Sequence, residues 1–173
     1  EIAVECGFIA PIYTVTGWNS ASGAKIPVDE VVPVFGGYCE APWENHMNRL
    51  SPSPHYFFNR MRNDSAIGTD LIAKTQSDGW QLPYERYPFA TCELGGGIEV
   101  THHRRPIIKP MDIYAVSLVK LGDGNNLVGY YMYHGGTNKI GELSTFNETK
   151  ATGYPNDYPI LSYDFQAPLS EYG

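Results

Sequence analysis

Residues 88–97 read PFATCELGGG: a short apolar run, a lone carboxylate at Glu93, then three consecutive glycines. The run does not alternate apolar with polar residues. It therefore predicts a strand covered on both faces, as in a parallel sheet, rather than an antiparallel strand with one face in water. Glycine costs backbone entropy wherever it sits, so three in succession imply a sharp turn or a close approach of the backbone to something else. An acid delivered to such a turn is a candidate for chemistry.

Working outward, three other runs share this character: FIAPIYTV from Phe8, VVPVFG from Val31 and LVGYYMY from Leu127. Pro11 and Pro33 count against the first two, because proline cannot donate to a ladder. Helical patterns lie between them. SPHYFFNRMRN opens with Ser53 and Pro54 in cap and first-turn positions, and KPMDIYAVSLVKLGDG starts near Pro110 and stops at Gly122. A weak initial helix followed by alternating strands and helices predicts an α/β protein. No repeat, low-complexity tract or linker divides the chain, so residues 1–173 read as a single domain.

Polar and aromatic residues gather after the predicted strands. Trp18 follows the first, Glu40, Trp43 and Glu44 the second, Glu93 the third, and the stretch from His134 to Asn138 the fourth. Ligand sites in parallel α/β proteins lie at the carboxyl ends of strands, where loops converge. Four such ends together predict a barrel-type active site.

Composition narrows the partners. The 173 residues carry 12 Lys and Arg against 19 Asp and Glu, a formal net charge of −7. That balance argues against nucleic acid or an anionic membrane surface, and HHRRP at 102–106 is too short to track a phosphate backbone. No apolar run reaches the roughly 18 residues a membrane span needs. Thirteen Tyr and three Trp suit flat, hydroxyl-rich ligands such as sugars, although Tyr-rich packing gives the same composition. Cys6, Cys39 and Cys92 match no zinc spacing and no CxxC pair, so neither a disulfide framework nor a metal is expected. Three glycines without a following Lys and Ser or Thr make no phosphate loop, and no nucleophile elbow is present.

Each candidate has two readings. Glu93 suits a nucleophile, a general base or a sugar-hydroxyl acceptor, and equally a carboxylate that accepts N–H groups from its own turn. In YYMYHGGTN (130–138), Tyr131 and Tyr133 would alternate with Met132 across a strand, and the aromatics either meet a ligand or fill the core. His134 alone is more often structural than an acid–base group. Glu40 and Glu44 flank Trp43 in GGYCEAPWE (36–44), which fits sugar stacking or a surface loop anchored by a buried Trp. HHRRP orients a carboxylate or caps a helix start; the second is preferred. The sequons at 63 and 147 are three-residue patterns with little weight alone.

Taken together, these segments resemble glycoside hydrolase family 35, the β-galactosidases. YYMYHGGTN is similar to that family's YMFHGGTNFG-type segment, LSYDFQAPLSEYG (161–173) to its SYDYDAPLSEAG segment, and APIYTVTGW (10–18) to its PLYTTDGW-type strand. PFATCELGGG falls where the family places its nucleophile strand, and the four occur in the family's order from about Phe8 to Gly173.

The resemblance implies a (β/α)8 TIM barrel and retaining chemistry at two carboxyl groups roughly 5–5.5 Å apart. It implies Glu93 as nucleophile, with Tyr131 and Tyr163 lining the galactose site and the glycines clearing space for the sugar. Trp43, Glu40, Glu44, His134 and Asn138 are further substrate-binding candidates. No cofactor is implied; the partner is a β-galactoside or related oligosaccharide, and the setting secreted or periplasmic. The family's acid/base glutamate sits in an ENEYG-type segment after strand four, which this sequence lacks. A whole barrel takes about 250 residues, so the chain is expected to be the C-terminal half, strands five to eight, inactive alone. Its outer strands would then pair with a second copy as a homodimer. The start, EIAVECGFIAPIYTV, has no signal-peptide pattern and reads as a chain entered midway.

A non-catalytic sugar-binding half-barrel, or an enzyme recruiting Glu40 or Glu44 as the acid, would carry the same motifs. Two departures bear on the substrate: TNFG is TNKIG here, and Gln166 replaces an acid near the pocket.

Overall fold

The computed structural model describes residues 1–16, 29–40, 51–60, 62, 84–143 and 161–173. A single helical turn, α1 (Ile2–Glu5), leads into strand β1 (Tyr13–Thr16). Strands β2 (Val32–Gly37) and β3 (Thr91–Leu94) follow, and the three pair in parallel in the order β1-β2-β3. Residues 33–39 are buried without interruption, as a strand covered on both faces requires. Pro33 sits inside β2 opposite Thr14.

The fourth apolar run lies parallel beside β3 but makes isolated bridges, Ala90 to Leu127 and Leu94 to Tyr130, instead of a continuous strand. Gly129 brings the two backbones together: a Cβ there would fall 2.6 Å from the Thr91 carbonyl oxygen. Beyond it, Met132 takes a φ of 119°, which ends any regular alternation of Tyr131 and Tyr133. Tyr131 is half-buried and Tyr133 exposed. The predicted strand is therefore only partly realised.

Among the described residues of the predicted helix over 53–63, there is a single 3-10 turn, Pro54–Tyr56, capped by Ser53, whose hydroxyl accepts the His55 N–H at 3.3 Å. Phe57 is already extended, and Phe57 and Phe58 are exposed. The turn stops because its buried residue, His55, packs flat against Gly37 of β2. A Cβ at Gly37 would lie 2.6 Å from the imidazole.

Helix α2 (Pro110–Gly122) forms as predicted. Asp112 accepts the Lys109 N–H at 2.9 Å and the Tyr56 hydroxyl at 3.1 Å, joining the helix start to the 3-10 turn. Gly124, at φ 90°, supports the chain reversal after the helix. Val116 packs with Tyr38, Cys39, Leu94 and Ile98 in the core. Lys120 is fully buried, its Nζ 3.5 Å from Asp123. Phe35 and Phe89 stack at 5.1 Å, with Arg62 over the Phe89 ring.

Two short antiparallel strands, β4 (Gly136–Thr137) and β5 (Ser162–Tyr163), form a separate ribbon that brings the last residues of the chain to the end of the sheet. The three cysteines are free thiols. Among the described residues, no helix is long and apolar enough to cross a membrane.

Candidate active site

Glu93 is the third residue of β3, between buried Leu94 and half-buried Cys92. The parallel register sets Gly36 of β2 beside it, with a register shift between Phe35 and Gly36. A Cβ on Gly36 would come within 3.4 Å of the Glu93 Cβ, so the glycine lets the carboxylate lie along the neighbouring strand. Tyr38, just past the end of β2, then reaches across and donates its phenol to Glu93 Oε1. Ser53 donates to the Tyr38 carbonyl at 2.6 Å and fixes the backbone from which the phenol projects.

Burial pushes the Glu93 carboxyl above its ordinary range, and the Tyr38 hydrogen bond offsets part of that rise. Burial, reinforced by the negative Glu93, holds Tyr38 well above the usual phenol value, so at neutral pH it is a donor. Tyr131 is raised by burial and by its bond to Tyr163, with a further contribution from the Glu93 charge. The Tyr131 and Tyr163 hydroxyls are 2.7 Å apart. Phe165 backs both rings, 4.3 Å from Tyr163 and 5.8 Å edge-on to Tyr131. Glu93 thus lies with three phenols, Tyr38, Tyr131 and Tyr163, at the carbonyl end of a parallel sheet, and the negative charge of the buried Glu99 also raises Tyr131.

Glu40 is also present at this end, and its carboxylate is committed: Arg104, only 7% exposed, grips it at 2.6 Å. The 102–106 segment thus orients a carboxylate, the less favoured of the two readings of HHRRP. Thr101 shapes that segment, accepting the Arg104 N–H on its hydroxyl at 3.3 Å and the Arg105 N–H on its carbonyl at 3.0 Å. His134 is exposed, its Nδ1 2.7 Å from the Gly135 carbonyl, and Asn138 is half-buried with its N–H on Leu161. Both belong to the β4–β5 ribbon. Trp18, Trp43, Glu44 and the two sequons lie outside the described residues.

One expectation needs correction. The glycines after Glu93 make room for protein: Gly95 faces Cys39, and Cβ atoms at Gly96 and Gly97 would fall 2.7 and 2.9 Å from the Tyr131 carbonyl oxygen. Gly97 also donates its N–H to that oxygen. The triple glycine lets the strand-end backbone close onto the fourth segment. Gln166, in turn, uses its amide internally, donating to the carbonyls of Ile98 at 3.0 Å and Pro106 at 3.2 Å. Sequence reasoning missed Tyr38 as the partner of Glu93; its signal is an aromatic directly after a strand-ending glycine pair.

Among the described residues no group of His, Cys, Asp or Glu is arranged to hold a metal ion. Burial lifts the Cys39 and Cys92 thiols to about 11, so neither is an activated nucleophile.

Carboxylate and phenol groups gathered at the carbonyl end of parallel strands occupy the place where ligand sites of such sheets form. The family model for Glycosyl hydrolases family 35 matches residues 25–173, and the chain belongs to that family, one built on the TIM barrel. Beta-galactosidase 3 of Oryza sativa subsp. japonica is 41% identical over 86 residues, 49% of this chain and 9% of that protein. Beta-galactosidase 10 of Arabidopsis thaliana is 39% identical over 66 residues, 38% of this chain and 7% of that protein. The chain thus matches less than a tenth of the length of these two relatives. No solved structure matches it.

Proposed function

We propose that residues 1–173 are one domain: the nucleophile-bearing C-terminal half of a (β/α)8 barrel from a retaining β-galactosidase, with Glu93 as nucleophile. The observation that carries this reading is the half-buried Glu93 carboxylate, hydrogen-bonded by Tyr38 beside the Tyr131–Tyr163 pair. The order of the parallel strands, each beside its predecessor in sequence, supports placement within a barrel. A Glu93 oxygen attacks the anomeric carbon while the bond from that carbon to the leaving oxygen breaks, giving a glycosyl-enzyme. Tyr38, kept protonated, orients the attacking carboxylate. Tyr131 and Tyr163 offer hydroxyls to the ring of a galactoside.

Protonation of an ordinary leaving group needs a second carboxyl. Glu40 is held by Arg104, and the family's acid/base segment is not among these residues. In this reading the proton donor belongs to the strand-four segment that the family resemblance implies, and this chain alone does not turn over ordinary galactosides.

An activated substrate separates the steps. Dinitrophenyl β-galactoside loses its aryl oxygen as the phenolate, taking the bonding electron pair and needing no proton. The chain is expected to release a burst of dinitrophenolate, one equivalent per chain, followed by slow turnover; Glu93→Gln shows no burst. Saturable binding with no release from either protein would mark a sugar-binding module instead.

A further inference from the structure

The Gln166 side chain makes three hydrogen bonds, none of them to the phenols: Nε2 donates to Ile98 and Pro106 carbonyls, and Oε1 accepts the Ile108 N–H at 3.3 Å. The neighbouring Phe165 carbonyl accepts the Ile98 N–H at 2.9 Å. Four hydrogen bonds thus join residues 165 and 166 to the loop that leaves the Glu93 strand. Only a carboxamide supplies donors and an acceptor in this way; a carboxylate, which the family pattern has at this position, would set its lone pairs against two carbonyls.

A second observation is independent. Phe165 and Gln166 both lie in the left-handed region, at φ 54° and 56°. Bulky side chains rarely adopt that backbone, and it persists only where the surroundings impose it. Its consequence here is to turn the Phe165 ring onto Tyr163 and Tyr131.

We propose that Gln166 is a positioning residue: its amide clasps the 98–108 loop, fixes Phe165 in its left-handed conformation, and thereby holds the Tyr131–Tyr163 hydroxyl pair in register beside the carboxylate strand. It contacts no substrate. The proposal rests on the reading of Glu93 as nucleophile for its effect on chemistry, but not for the clasp itself.

The test replaces Gln166 by Met, which keeps the volume and removes the amide, in protein carrying carbon-13-labelled tyrosine rings. Signals are assigned with Tyr131→Phe and Tyr163→Phe. Both signals are expected to move in Gln166→Met while that of Tyr114, exposed on α2, stays. In parallel, a 2-deoxy-2-fluoro-β-galactoside with a dinitrophenolate leaving group should label Gln166→Met about tenfold more slowly than the parent, as displaced reacting groups lose rate steeply. That loss should largely vanish in a Tyr163→Phe background, because the two residues act in series. Phe165→Leu, which leaves the amide in place but cuts its link to the phenols, should reproduce both effects and serves if Gln166→Met fails to fold. Unmoved tyrosine signals, or unchanged labelling in a parent that is labelled, overturn the proposal. A parent that is not labelled at all contradicts the reading of Glu93 instead, and the tyrosine signals then decide the clasp alone.

Discussion

Glu93 is held in a place that disfavours its charge, and Tyr38 compensates only in part. The consequence for stability has a definite sign. An acid whose folded value is raised binds its proton more tightly when folded, so its contribution is fully present below the unfolded value and lost as pH rises through the folded one. Here the window opens near the ordinary 4.5 and extends upward. Glu93→Gln cannot ionise, and its amide oxygen still accepts from Tyr38. Its thermal midpoint relative to the parent should therefore climb between pH 4 and pH 7; a constant difference across that range would contradict the burial argument. At this scale the sequence was partly legible. A carboxylate between an apolar run and glycines announces itself locally. Its partner Tyr38 lies 55 positions away and the Glu40–Arg104 pair spans 64, distances at which only the strand register decides who meets whom.

At the scale of elements, the apolar runs located the strands and Pro110 with Gly122 bounded α2, because burial on both faces and terminal residues are local signals. The helix over 53–63 was misread because Ser53 and Pro54 start a turn as readily as a helix, and the packing of His55 on Gly37 ends it after three residues. The glycines after Glu93 were legible as a close approach, but what they approach was not. Gly97→Ala tests the corrected reading. Its Cβ would meet the Met132 side chain as well as the Tyr131 carbonyl, an overpacking expected to cost about 1–3 kcal/mol in chemical denaturation. A variant as stable as the parent would mean that the space beside Gly97 is open after all.

At the scale of the molecule, the sheet ends in β1 on one side and the 127–130 segment on the other among the described residues. Tyr13, Leu127 and Tyr130 at these edges are more than half exposed, and α2 presents Met111, Tyr114, Leu118 and Leu121 outward. Unpaired strands with apolar side chains invite pairing with another chain. Sedimentation velocity should accordingly show species heavier than the 19.3 kDa chain, increasing with concentration; a lone 19.3 kDa boundary at every concentration would remove the argument for exposed sheet edges. The family was legible because its segments keep their order, and its model matches residues 25–173. Barrel closure was not, since the described residues form a three-stranded parallel sheet and a two-stranded ribbon.

The central claim is that Glu93 forms the glycosyl-enzyme, and the most direct measurement is where the fluorinated galactosyl group attaches. After incubation with the dinitrophenyl 2-deoxy-2-fluoro-β-galactoside, peptide mass spectrometry should find one sugar per chain, on Glu93, and none on the Glu93→Gln variant. A sugar on Glu40, Glu99 or any other carboxylate, or an equal yield on the variant, would contradict the account.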